Sequence, residues 1–333
     1  FLKSVNVTGN VTQVDGSGST RFVQALNAAT VSLTNAVQVA FEGAISATGN
    51  ITIKSDEIDF VTSKETVSAP GQILTMIPYR ASQNIRVGAA PTGLATNLDL
   101  TDPDILAIHD GFAKIVIGRA EDGSGQVTLG DFDLLNALEV FGGSIAVKGP
   151  VNVEGTVLLD MMNNVAFAGS LTATGNVTLL GEAGAITQTS GRLTAPGLTA
   201  TAADGIQLIT AIDTVQATVT TNGDINISES DGLIINGTGL TTPFGVNEDV
   251  TVVVDAGNLT LTTALVVDGS GSATLSASAG IIILQTTIDT DTGDINLAAG
   301  TDITLHNLTT QGGSVAIDAG GSSKLQANTA IST

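Results

Sequence analysis

Apolar residues alternate with small polar ones in short runs along nearly the whole chain. Gly175-Asn176-Val177-Thr178-Leu179 is a clear case: a glycine, a polar residue, then Val and Leu two apart with Thr between them. The pattern recurs as Gly9-Asn10-Val11-Thr12, Gly49-Asn50-Ile51-Thr52-Ile53, Gly143-Ser144-Ile145-Ala146-Val147 and Gly169-Ser170-Leu171-Thr172-Ala173. It continues as Gly223-Asp224-Ile225-Asn226-Ile227, Gly257-Asn258-Leu259-Thr260-Leu261, Gly293-Asp294-Ile295-Asn296-Leu297 and Gly313-Ser314-Val315-Ala316-Ile317. A period of two predicts a strand with one buried face, and the glycine with its polar neighbour predicts the turn before it. Repetition on this scale signals a repeat architecture.

From Gly293 to Gly313 the phrase advances by 313 − 293 = 20 residues, and Gly300-Thr301-Asp302-Ile303-Thr304-Leu305 places a second strand in between. Two or three short strands in about 20 residues is one turn of a parallel β-helix. The expected fold class is all-β, a parallel β-solenoid with about 20 residues per turn, built from stacked strands. Inward positions form Val, Ile, Leu and Ala ladders, outward Thr, Asn, Ser and Asp meet water, and turn glycines permit positive φ. No composition shift divides the chain, so residues 1–333 are expected to form a single continuous solenoid. A solenoid also suits this length, because each turn needs to contact only its neighbours.

Residues 54–140 depart from the pattern. Charges are denser, at Lys54, Asp56, Glu57, Asp59, Lys64 and Glu65, and four of the 7 prolines fall here, at Pro70, Pro78, Pro91 and Pro103. Strands remain visible at residues 72–77, 84–87 and 114–117. Ala89-Ala90-Pro91-Thr92-Gly93 reads as loop, and Thr101-Asp102-Pro103-Asp104 followed by Ile105-Leu106-Ala107-Ile108 predicts a short capped helical turn. This section is expected to be an irregular part of the solenoid with longer loops. It is the place to look for anything besides scaffold.

Composition narrows the function. Hydrophobic residues make up 42% of the chain but aromatics only 3%, so the core must consist of thin aliphatic layers. The net charge is −21, with 11 Lys and Arg in total and none between Arg192 and Lys324, which argues against a nucleic-acid partner. There is no cysteine, hence no disulfide or thiolate chemistry. No apolar run reaches the ~18–20 residues of a membrane helix, so no transmembrane segment is expected. The chain opens at Phe1 without an initiator Met, which suggests a longer or processed polypeptide.

The segment Gly184-Ala185-Ile186-Thr187-Gln188-Thr189-Ser190-Gly191-Arg192-Leu193-Thr194-Ala195, continuing through Leu198-Thr199-Ala200-Thr201-Ala202 and Gly205-Ile206-Gln207-Leu208, resembles the repeats of filamentous haemagglutinin-type bacterial exoproteins and related giant surface adhesins. The style extends over most of the chain, including Asp56-Glu57-Ile58-Asp59-Phe60, Ile105-Leu106-Ala107-Ile108-His109-Asp110-Gly111-Phe112 and Ile115-Val116-Ile117-Gly118-Arg119. The resemblance implies a right-handed parallel β-helix that is secreted to the bacterial cell surface. It implies a role as a stalk, fibre or adhesin and carries no catalytic residues.

Candidate chemistry is sparse. Asp289, Asp291 and Asp294 could offer oxygens to calcium, although they match neither an EF-hand loop nor a calcium-binding nonapeptide. His109 and His306 lie in different repeats with no Ser or Cys constellation nearby. Tyr79, Arg80, Arg86, Asp99 and Asp102 form the only mixed cluster. The sequence therefore favours a non-enzymatic structural segment of an extracellular bacterial fibre, stalk, sheath or adhesin. Its partners would be copies of itself, head to tail or lateral, and host or neighbouring-cell surface glycans. The alternative is a carbohydrate-binding or carbohydrate-processing β-helix protein. Neither Phe1-Leu2-Lys3-Ser4-Val5 nor Ala327-Asn328-Thr329-Ala330-Ile331 looks like a polar cap, so both ends are expected to abut further solenoid or a head-to-tail neighbour.

Overall fold

A computed structural model describes residues 1–333 apart from 15, 17, 62–63, 89–96, 244–246 and 326–329. The loop expected at Ala89–Gly93 and the segment Ala327-Asn328-Thr329 therefore lie outside the described residues. The chain divides into two units: Phe1–Met162 with Phe167–Gly175, and Asn163–Ala166 with Asn176–Thr333. Each is a parallel β-solenoid whose turns place short strands on three faces.

In the first unit one face stacks Val5–Asn6, Leu26–Ala28, Ile45–Ala47 and Val67–Ser68 in that order. A second stacks Val11–Gln13, the first half of Val31–Phe41, the first half of Ile51–Phe60, then Ile73–Ile77, Lys114–Gly118, Leu138–Gly142 and Val157–Met161. The third begins with Ser19–Phe22 and the second halves of the two long strands. Buried and half-buried positions alternate along these strands, as in Val157–Met161 and Leu138–Gly142. The period of two thus becomes a core of Val, Ile and Leu, each buried residue stacked on its counterpart one turn away. Phenylalanines add to it: Phe112, Phe132 and Phe167 are buried, and four others form a column. Phe1, Phe22, Phe41 and Phe60 stack in one column with centroid separations of 4.8, 5.2 and 5.6 Å.

The second unit is more regular. One face stacks Ile225–Glu229, Val250–Val254, Ala273–Ala277, Ile295–Ala299 and Val315–Ala319, pairing Ile225 with Val250, Val250 with Ala273, Ala273 with Ile295 and Ile295 with Val315. The steps are 250 − 225 = 25, 273 − 250 = 23, 295 − 273 = 22 and 315 − 295 = 20 residues. Polar turn residues bind these layers together. Asp224 Oδ1 accepts the Asp249 N–H (2.8 Å) and Asp249 Oδ1 the Ser272 N–H (2.8 Å). Ser272 Oγ then accepts the Asp294 N–H (3.2 Å) and Asp294 Oδ1 the Ser314 N–H (2.7 Å).

The turn glycines serve two purposes. Gly223 has φ 105°, the left-handed conformation expected of a turn glycine. Gly293 has no such φ. Instead, a Cβ there would lie 1.8 Å from the Gly271 carbonyl oxygen of the preceding turn. Its requirement is close approach of one turn's backbone to the next, a need that the period-two pattern does not announce.

The irregular section is an insertion within the first unit's third face. Asn97–Leu100 pairs with one edge of Asn84–Val87, whose other edge takes Gln126–Leu129. Asn97–Leu100 also packs beside Ile51–Phe60. The chain thus doubles back to fill a position ahead of its own preceding strand. The expected helical turn follows at Asp102–Ala107, with Pro in its first turn and the Asp104 carboxylate accepting the Thr101 N–H (2.8 Å). Val67 forms an isolated parallel bridge with Ile108 just beyond it.

Candidate functional site

The strand Ile51–Phe60 turns a corner at Ser55 and Asp56, where two consecutive side chains are buried instead of one. The corner needs polar partners inside the wall. Ser55 Oγ donates to the Ala36 carbonyl (3.1 Å), and the Asp56 carbonyl accepts from Gln83 Nε2 (2.6 Å). The Asp56 side chain is buried. Its Oδ2 is paired with Arg80 Nη2 at 2.9 Å, while its Oδ1 has no hydrogen-bond partner. The facing guanidinium offsets the cost of burying this carboxyl group.

Asp56 and Arg80 line an open cleft of about 380 Å³ together with Asn35, Val37 and Tyr79. A second cleft of about 280 Å³ is lined by Lys54, Ile77, Val116 and Arg119 among others. Tyr79 and Arg80 line the first, and Ile77, two residues before Tyr79, lines the second. Arg119 Nη1 donates to the Pro78 and Tyr79 carbonyls (3.3 and 3.1 Å), and its Nε and Nη2 hold Asp122 in a two-pronged pair (2.5 and 2.6 Å). That hydrogen bonding keeps the Asp122 carboxyl below its ordinary range. The Tyr79 ring, 44% exposed, has Lys54 Nζ 5.6 Å from its centroid. An exposed aromatic is thus fixed through its backbone between two clefts edged with cations.

Acids gather on the inserted part of the third face. Burial, followed by the charges of Asp59, Asp99 and Asp104, pushes the Glu57 carboxyl up to about 8. Burial also raises Asp104, against hydrogen bonds from Thr101 and from the Phe60 N–H at 2.7 Å. Arg86 stands 4.0 Å from Asp99. Burial and the neighbouring acids thus act on Glu57 in the same direction, against its ionisation.

The mixed cluster of the sequence therefore separates. Tyr79 and Arg80 join at the clefts, Arg86 and Asp99 pair within the acidic group, and Asp102 is exposed on the helix. Among the described residues no three His, Cys, Asp or Glu side chains are gathered to hold a metal ion. Asp289, Asp291 and Asp294 are not brought into such a group. Asp289 and Asp291 are half-buried, and Asp294 accepts the Ser314 N–H of the next turn. His109 meets the carbonyl of its neighbour Asp110, and His306 belongs to the other unit. Sequence reasoning missed Lys54 and Arg119 as partners of Tyr79, and Asp56 as the partner of Arg80. The available signal was Ser55-Asp56-Glu57, where polar residues interrupt the alternation within a strand.

No protein-family model matches the chain, and no curated protein or solved structure matches it. The likeness to haemagglutinin-type adhesins thus rests on the sequence wording alone, while the parallel solenoid stands on the structure.

Proposed function

We propose that the chain is a structural segment of an extracellular bacterial fibre, stalk, sheath or adhesin, whose terminal strand edges are covered by further solenoid or by a head-to-tail neighbour. The observation that carries this reading is the state of the outermost turns. Val315 and Ile317 are only half-buried, whereas Ile295 and Leu297, their register partners one turn inward, are 0% and 2% exposed. At the other extreme Val5 and Val11 are half-buried, against 0% and 1% for their partners Leu26 and Val31. Inward apolar positions and open parallel edges favour another layer of the same kind, because a parallel turn offers each new turn the donors and acceptors it already uses. The acidic surface would keep such a particle soluble and limit lateral clumping.

Sedimentation velocity over a range of concentrations tests the proposal, with electron microscopy of the same samples. The expected result is linear end-to-end association that grows with concentration. Ile317→Lys, which places a charge on the last inward ladder, should suppress it. A chain that stays monomeric at every concentration, or one that forms only side-by-side clusters, would overturn the reading.

A further inference from the structure

We propose that the two clefts flanking Tyr79 form one binding groove for an acidic oligosaccharide, a short chain of uronic-acid type. The proposal goes beyond the fibre reading and does not depend on it. The groove crosses successive turns, because Ala36 is in register with Ser55, and Lys54 with Ile77. The Asn35, Asp56 and Tyr79 corners therefore lie one strand spacing apart, about 10 Å for the three. A linear ligand can lie across them. The larger cleft, about 380 Å³, falls in the size range of ligand pockets.

The chemistry of the wall selects the class of ligand. Three of the chain's 11 Lys and Arg line the clefts beside three acids, Asp56, Glu121 and Asp122. Arg80 and Arg119 are paired with Asp56 and Asp122, and Lys54 stands over the Tyr79 ring, so Lys54 and the outer edge of Arg80 are what a ligand carboxylate would meet. Arg119 is committed to Asp122 and to the Tyr79 backbone, which makes it a positioning residue. Arg80 keeps one nitrogen on Asp56 while its side chain is 58% exposed, leaving guanidinium edge for a ligand carboxylate. Tyr79 offers an exposed ring on which the C–H face of a sugar can stack. The exposed Asp122 carboxylate can accept sugar hydroxyls at one side, while Asp56 is buried and serves to hold Arg80. An acidic peptide would satisfy the cations but would leave the fixed aromatic face without a flat apolar partner.

Calorimetric titration of the 333-residue chain with an oligouronate of about six units tests the proposal, alongside a neutral oligosaccharide and an oligoglutamate of the same length. The oligouronate should bind, with each comparison ligand weaker by about tenfold or more. Tyr79→Ala should weaken oligouronate binding about tenfold, and Tyr79→Phe should retain it. Arg80→Gln should erode the preference for the uronate over the neutral sugar. Tyr79 is exposed, so its variants should keep the parent melting temperature. Absence of oligouronate binding at millimolar ligand, equal binding of oligoglutamate, or binding unchanged in Tyr79→Ala would each overturn the proposal. None of these outcomes bears on end-to-end association, so the two readings fail separately.

Discussion

The turns from Val250 to Ala319 and the turns around Asp56 share one backbone plan and differ at their corners. In the first set, corners are closed by glycine and by Asp, Asn or Ser side chains that accept N–H groups from the next turn. Each layer repeats the corner hydrogen bonds of its neighbour. In the second set, a corner carries a buried Asp56 paired with Arg80, a tyrosine held between clefts, and an inserted strand with its own acids. Repetition makes a wall, and a substitution at the corner makes a place on it. The cost of a distinct surface is met by a charge pair with a buried carboxylate, whereas the plain turns bury Thr290 and Thr310, whose hydroxyls donate to the Gly293 carbonyl.

The largest expected effect separates the cores of the two regions. Phe41 is fully buried and stacks between Phe22 and Phe60, whereas the plain turns are filled by aliphatic side chains. Phe41→Ala should destabilise the first unit by about 3–5 kcal/mol. Chemical denaturation followed by circular dichroism measures this, with hydrogen exchange locating the loss in residues 36–60. A loss under about 1 kcal/mol would mean that the aromatic column is not what holds the irregular region's face together.

A smaller effect tests the closed corners. Gly293→Ala puts a methyl 1.8 Å from the Gly271 oxygen, a contact that only a backbone shift relieves. A loss of about 2–3 kcal/mol in the second unit is expected. Gly9→Ala is the control, because nothing lies within 4 Å of its added Cβ, and it should change stability by less than about 0.5 kcal/mol. Equal effects at the two positions would remove close approach as the reason for these glycines.

These contrasts show what could be read from the sequence. Alternation such as Val157-Leu158-Leu159-Asp160-Met161 specifies a strand with one buried face whatever its partners, so strands, period and helical turn were legible. Thr101, Pro103 and Asp104 announce a helix start by local chemistry alone. The order of strands on the third face was not legible, because Asn97–Leu100 carries the same alternation in any register. The clefts were equally hidden. Lys54, Asp56, Tyr79 and Arg119 are brought together only by stacking turns of unequal length, 74 − 51 = 23 residues for one step and 114 − 73 = 41 for the next. A charge meant for a partner 24 residues away, as Asp56 is for Arg80, looks in the sequence like one more solvated acid.

The smallest predicted effect concerns the acids on the inserted part of the face, and its sign depends on pH. Glu57 has a folded-state value of about 8 against 4.5 for the free side chain, with burial the main cause and the charges of Asp59, Asp99 and Asp104 after it. Between those values the folded chain holds a proton that the unfolded chain has released. Stability from this group is therefore full below about pH 4.5 and declines as pH rises toward about 8. Glu57→Gln keeps the neutral shape at every pH. Near pH 4 it should melt with the parent protein, and near pH 8 it should be more stable by on the order of 1 kcal/mol, solvent screening of a half-buried group having reduced the full effect. Asp104, raised in the same direction, leaves some slope in the variant. Thermal melts of both proteins at the two pH values decide the matter. A variant less stable than the parent near pH 8 would mean that Glu57 is ionised and paired there, which would make the acidic group a site of attraction and not one of restrained repulsion. The comparison with the plain turns would then sharpen: their exposed acids cap backbone, while those on the inserted face would hold charge for a purpose.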